Sequence, residues 1–154
     1  MSELAREIRA LMIPVTNGRL LLPNATVAEV IAYATPEDVA DAPVWLLGRI
    51  VWRGWSLPLV SFSRLAGLGE EVPSSTAKVA VLKALNGDAK LPFMAVLTQG
   101  FPRLITVTQD MLVPSGDENR QASGVLAEVL IRDDAAIIPD LGTIEDMITE
   151  ALAA

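Results

Sequence analysis

Apolar and polar positions along the chain alternate mostly with the period of β-strands, in short runs broken by turn residues. Residues 9–15 (RALMIPV) and 20–23 (LLLP) flank Asn17-Gly18, the strongest short hairpin signal because such turns need positive φ. Residues 27–33 (VAEVIAY) read as a strand from their β-branched and aromatic content. Residues 45–52 and 55–60 form a strand, a tight turn and a second strand, with Ile50 and Trp52 facing one way and Arg49, Val51 and Arg53 the other. Residues 62–68 suit a short helical turn, and 69–76 (GEEVPSST) a polar loop without a packing pattern. Strands resume at 78–85, 91–98 and 104–108, with a turn at 86–90, and residues 125–131 and 135–141 make a third hairpin around Arg132-Asp133-Asp134. A helical turn is expected at 2–8, a loop or single turn at 35–43, and a mobile polar loop at 115–124.

The period changes only at the end. Ile144, Met147, Ile148, Ala151 and Leu152 fall at i, i+3, i+4, i+7 and i+8, one helical stripe. Gly142 is read as ending the preceding strand, Thr143 as the N-cap, and Glu145 and Asp146 as first-turn acids favoured by the helix dipole. So many short strands imply closed or nearly closed barrels, since an open arrangement leaves pairing edges exposed.

Composition sharpens the picture by exclusion. The 154 residues contain no Cys and no His. Thiol nucleophiles, thiolate metal sites and imidazole bases are therefore absent, and no cofactor or metal is expected. Hydrophobic residues make up 51%, high for a free monomer, which points to apolar surface meeting a partner. The net charge of −7, with acids concentrated after residue 108, argues against nucleic acid and against an anionic membrane surface. No stretch reaches the roughly 18 apolar residues of a membrane span. Charges at Glu3, Arg6, Glu7 and Arg9 interrupt any signal-peptide core, so a cytoplasmic protein is expected.

One segment, residues 48–62 (GRIVWRGWSLPLVSF), stands apart. It reads as a hairpin with Arg53 at the tip, Trp52 and Trp55 on either side, Gly54 taking positive φ, and Pro58 suited to an edge or bulge. Arginine among tryptophans is the composition of an interface anchor. The bland alternative makes the tryptophans core fillers and points Arg53 at water.

This segment resembles the CheW-like adaptors of bacterial chemosensory arrays, whose first half carries Gly-x-Ile-x-x-Arg-Gly-x-x-x-Pro before a short Leu-rich helix. Gly48, Ile50, Arg53, Gly54, Pro58, Leu59 and Val60 match, followed by Phe62 and the leucines at 65 and 68. The likeness extends over roughly residues 9–150. It implies a mainly β fold of two small SH3-like five-stranded barrels with a C-terminal amphipathic helix. The expected halves are 9–68, joined by return strands from the C-terminus, and 77–141, with the helix at 143–153. It also implies a non-enzymatic role, coupling the regulatory domain of a CheA-type histidine kinase to the cytoplasmic tip of methyl-accepting chemoreceptors. Arg53 takes the place of the arginine important for coupling, and Gly48, Trp52, Gly54, Trp55 and Pro58 complete the expected partner-binding segment. The chain departs from the family in two places. Trp52 and Trp55 replace an aliphatic and a polar residue, and residues 94–99 (MAVLTQ) lack the usual Gly and Val-Asp pair, with Thr98 near the Asp position. Both departures are more similar to the PilI- or ChpC-type adaptors of pilus-linked twitching systems.

The alternative class is a small carboxylate-dependent hydrolase using Asp133-Asp134, Glu70-Glu71 or Glu145-Asp146. Adjacent residues on a strand point to opposite faces, so none of these makes a shared-proton dyad, and the expectation is that all are solvated acids. A base-stacking barrel using Trp52 and Trp55 ranks third.

Overall fold

The computed structural model describes residues 7–85, 91–114, 124–131 and 133–153. The turn expected at 86–90 and all but Gly124 of the loop expected at 115–124 lie outside them. So does most of the expected N-terminal helical turn, although Glu7 and Ile8 already belong to a strand.

Among the described residues, eleven strands form two sheets. The first hairpin joins β1 (Glu7–Val15) to β2 (Gly18–Pro23). Its two-residue loop is Thr16-Asn17 rather than Asn17-Gly18, and Asn17 takes the positive φ of 63°. Asparagine tolerates that conformation; β-branched threonine does not. Next come β3 (Val27–Ala32), β4 (Leu46–Trp52), β5 (Trp55–Val60) and the one-turn α1 (Phe62–Leu65). Then follow β6 (Lys78–Lys83), β7 (Phe93–Thr98), β8 (Arg103–Thr108), the three-residue β9 (Leu112–Pro114), β10 (Val125–Ile131), β11 (Asp134–Pro139) and α2 (Leu141–Ala153).

The expected mainly β architecture with a terminal helix is present. One sheet runs β8-β1-β2-β11-β10-β9, with β9 as a sixth short member, and the other β3-β6-β7-β5-β4. The chain halves read from sequence do not each supply a sheet: residues 27–60 pair with 78–98, while 7–23 pair with 103–139. Hairpins are local and legible, whereas the crossing from β2 to β3 between sheets follows long-range burial that spacing does not encode.

The inner strands are buried on both faces. In β6, Val79 and Val81 point into the five-stranded sheet's own cluster with Ile50, Leu57, Leu59, Ala95 and Leu97. Ala80 and Leu82 point the other way, into a shared layer with Ile13, Leu20 and Leu22 of the six-stranded sheet and Ile144 and Ile148 of α2. The six-stranded sheet has its own cluster around Met12, Leu21, Val107 and Ile131. Two-faced burial turns alternation into continuous apolar runs such as residues 79–82 and 94–97. It also supplies an internal reason for the high hydrophobic fraction, which the sequence assigned to a partner.

Helix α2 buries the expected stripe, but it starts two residues earlier than Thr143. Asp140 caps it, its carboxylate accepting from the Thr143 amide at 3.2 Å and the Thr143 hydroxyl at 2.8 Å. Gly142 lies within the helix.

Two acids expected to be solvated are inside. The Glu71 carboxylate, fully buried, accepts from the Ser61 hydroxyl at 2.7 Å, the Thr16 amide at 2.9 Å and Gln99 Nε2 at 3.1 Å. Thr16 belongs to the β1–β2 turn of one sheet, while Ser61 and Gln99 follow β5 and β7 of the other. This single side chain therefore ties the two sheets together. Glu145, on α2, accepts from the Leu85 amide just beyond β6. A polar loop without periodicity concealed Glu71 because its burial comes from donors distant in sequence.

Candidate functional site

The β4–β5 hairpin is built by its turn. Trp52 and Trp55 close a two-residue loop in which Arg53 has φ 48° and Gly54 φ 81°. Positive φ at both central positions is the turn whose twist matches the flanking strands. Gly54 takes it freely, while for arginine the left-handed region costs roughly 1–2 kcal/mol. Strain kept at an exposed tip points to a use for the side chain placed there.

Of the six residues expected to meet a partner, Gly48, Trp52 and Pro58 are buried, whereas Arg53, Gly54 and Trp55 are exposed. Gly48 serves the backbone. A Cβ there would come within 2.3 Å of the Glu37 carbonyl, because Glu37 and Arg49 exchange two backbone hydrogen bonds of 2.8 Å across the edge of β4. Pro58 stands on an interior strand rather than at an edge, one residue before β5 begins its parallel pairing with β7. Trp52, 8% exposed, packs in the inner cluster and meets the Phe93 ring edge-on at 4.9 Å. Trp55, 43% exposed, meets the same Phe93 at 6.2 Å and leaves nearly half its surface available. Val51, on the outer face, is 78% exposed.

Arg53 does not wave freely. Its guanidinium lies 5.1 Å from the Trp52 ring centroid and 3.1 Å from Glu29 Oε1. The same Glu29 oxygen accepts the Trp52 indole N–H at 2.9 Å. Glu29 sits on β3 and Trp52 on β4, the two ends of the five-stranded order, so this acid also bridges the curled sheet's edges. The Arg53 side chain stays 70% exposed. An exposed ion pair and an exposed cation–π contact each contribute about 1 kcal/mol or less, so both orient the guanidinium without holding it against a stronger acceptor. The sequence reading missed Glu29 and Phe93. A lone acid inside the apolar run 27–33 was the available signal for the first.

These opposing small terms give a direct expectation. Arg53→Gly removes both contacts but also removes the left-handed strain, so stability should change by no more than about 1 kcal/mol. Urea denaturation checks it, and a loss above about 2 kcal/mol would show that the ion pair and stacking hold the hairpin in place.

Three of the acids considered for catalysis are engaged elsewhere. Glu71 and Glu145 serve internal donors, and Asp134 pairs with Arg19 and Arg103. Thr98, near the position of the family's aspartate, is fully buried and donates to the Gly100 carbonyl at 2.8 Å, so its hydroxyl is turned inward. Among the described residues no helix is long and apolar enough to cross a membrane.

A family model described as CheW-like domain matches residues 9–147. The chain is also similar in fold to the scaffolding protein TtCheW from Thermoanaerobacter tengcongensis, with a TM-score of 0.73 and 15% sequence identity over 88% of this chain and 86% of that one. No curated protein matches the sequence.

Proposed function

The chain belongs to the CheW-like domain family, and we propose that it is a non-enzymatic cytoplasmic adaptor coupling methyl-accepting chemoreceptors to the regulatory domain of a CheA-type histidine kinase. The family and the scaffold fold support a chemosensory adaptor role in general. The observation that carries the finer reading is the guanidinium of Arg53, exposed at a tight turn inside the segment that resembles the family's Arg-Gly pattern. Its present acceptor is a single surface carboxylate, which a partner's carboxylate or carbonyl can replace by a charge-assisted hydrogen bond. The half-exposed Trp55 supplies apolar area beside that contact. The two tryptophans in place of smaller residues favour a pilus-linked, twitching-motility pathway over the flagellar one.

Affinity capture of the tagged full chain from its native host, followed by mass spectrometry, tests the reading. Recovery of a histidine kinase together with a chemoreceptor is expected, with pilus-linked members of each if the finer assignment holds. Capture of neither, under conditions where the bait is folded and abundant, overturns it.

A further inference from the structure

The six-stranded sheet, which takes no part in the Arg53 site, carries a cleft of its own. In register across the strands, Arg103 stands opposite Met12, Arg19 opposite Pro14, and Asp134 opposite Ile131. One part of the cleft between them has a volume of about 410 Å³ and is lined by Met12, Ile105, Thr106, Met111 and Ile131 together with Arg103 and Asp134. Met12 and Ile131 belong to the sheet's inner cluster, so the cleft is the open end of that core. Arg19 and Phe101 line its continuation.

The rim is charged but incompletely bonded. Arg19 Nη1 lies 3.5 Å from one Asp134 oxygen and Arg103 Nη2 lies 3.9 Å from the other. Both separations exceed the roughly 2.7–2.9 Å of a charge-assisted hydrogen bond. Two planar guanidiniums thus flank the Asp134 carboxylate loosely, one near each oxygen, and keep N–H donors for a further acceptor. Asp133 lines the outer opening beside Arg19. With two aspartates beside two arginines, a compact dianion gains little from the rim. A monoanion with an apolar body gains from the rim and the apolar lining together.

We propose that this cleft is a binding site for a single carboxylate carried on an apolar body. The carboxylate would bridge Arg103 and Arg19, and the body would lie on Met12, Ile105 and Met111. The shared chemistry fits either a free aliphatic or aromatic acid or the C-terminal carboxylate of an apolar peptide.

Methyl NMR of the full chain, labelled with ¹³C-methyl methionine, reads this directly. Met12 and Met111 line the cleft, whereas Met94 and Met147 pack in the shared layer and serve as internal controls. Phenylbutyrate should shift the Met12 and Met111 methyls saturably and leave Met94 and Met147 unmoved. Phenylbutanol and inorganic phosphate should bind at least about tenfold more weakly, the loss expected from a charge-assisted hydrogen bond. Arg103→Gln should weaken phenylbutyrate by a similar factor, with unchanged Met94 and Met147 signals reporting an intact fold. An acetylated peptide ending in a free phenylalanine, compared with its amidated counterpart, tells the two sources apart. Equal binding of phenylbutanol and phenylbutyrate, full affinity in the Arg19→Gln/Arg103→Gln double variant, or no shift of Met12 and Met111 at millimolar acid each overturn the assignment.

Discussion

Arg53→Glu should abolish partner coupling while the protein stays folded. The side chain it replaces is 70% exposed and rests on one surface ion pair and one ring contact, so the fold loses about 1–2 kcal/mol at most. The new carboxylate faces Glu29, which repels it outward, and it presents a negative charge where the proposed contact needs a donor. Removing one member of a desolvated charge contact costs about 2–5 kcal/mol, so affinity should fall from about thirtyfold to several thousandfold. Binding of the captured kinase and receptor, measured together with thermal melting, checks this. Glu29→Gln separates the roles at the turn: its amide oxygen can still accept from the Trp52 indole, while the anion that competes for Arg53 is gone. This variant should bind the partner at least as well as the parent. An Arg53→Glu variant that melts normally and binds normally would remove Arg53 from the interface, and one that unfolds would make it structural.

Glu71→Ala should produce the largest loss of stability among the polar substitutions considered. Three donors from two sheets converge on this fully buried carboxylate, the Ser61 hydroxyl buried and the Thr16 and Gln99 donors half-buried. Truncation strands the Thr16 amide and the Ser61 hydroxyl, leaves Gln99 Nε2 with its bond to the Val72 carbonyl alone, and opens a void. At about 1–3 kcal/mol for each buried unsatisfied group, partly offset by relaxation, the expected loss is about 3–5 kcal/mol. For a chain of this size that is a drop of roughly 10 °C in melting temperature. Glu71→Gln should lose far less. Its carbonyl oxygen can accept from Thr16 and Gln99 while its NH₂ donates to the Ser61 hydroxyl, which can turn to accept. Equal destabilisation by Ala and Gln would mean that the negative charge itself, not the hydrogen-bond geometry, joins the sheets. Because Glu71 links the sheets and lies away from the β4–β5 turn, the Gln variant should leave partner binding intact.

The two expectations rest on opposite kinds of legibility. The hairpins at 45–60 and 125–141, the Arg53-Gly54 turn and the terminal helical stripe depend on interactions between residues near one another in the chain. Turn chemistry, side-chain alternation and helical period encode these locally, and the structure keeps them with boundary shifts of a few residues. The family pattern around Arg53 is local for the same reason. Burial is different, because it is settled by what arrives from elsewhere. Glu71 and Asp134 look alike as members of acidic pairs, yet one is fully buried among three donors and the other lies on an open rim between two arginines. Trp52 and Trp55 flank the same turn, yet Phe93 and Glu29 hold the first inside and leave the second half outside.

The amino-acid order alone therefore determined that this chain is built of short strands and a closing helix, lacks imidazole and thiol chemistry, and presents an arginine on a tight turn. Only the tertiary structure decided how the strands are shared between two sheets, which acids became internal ties, and which side chains of the hairpin stay exposed. Local backbone preference acts over a few residues, whereas desolvation depends on every neighbour that folding brings near, and those neighbours lie tens of residues away.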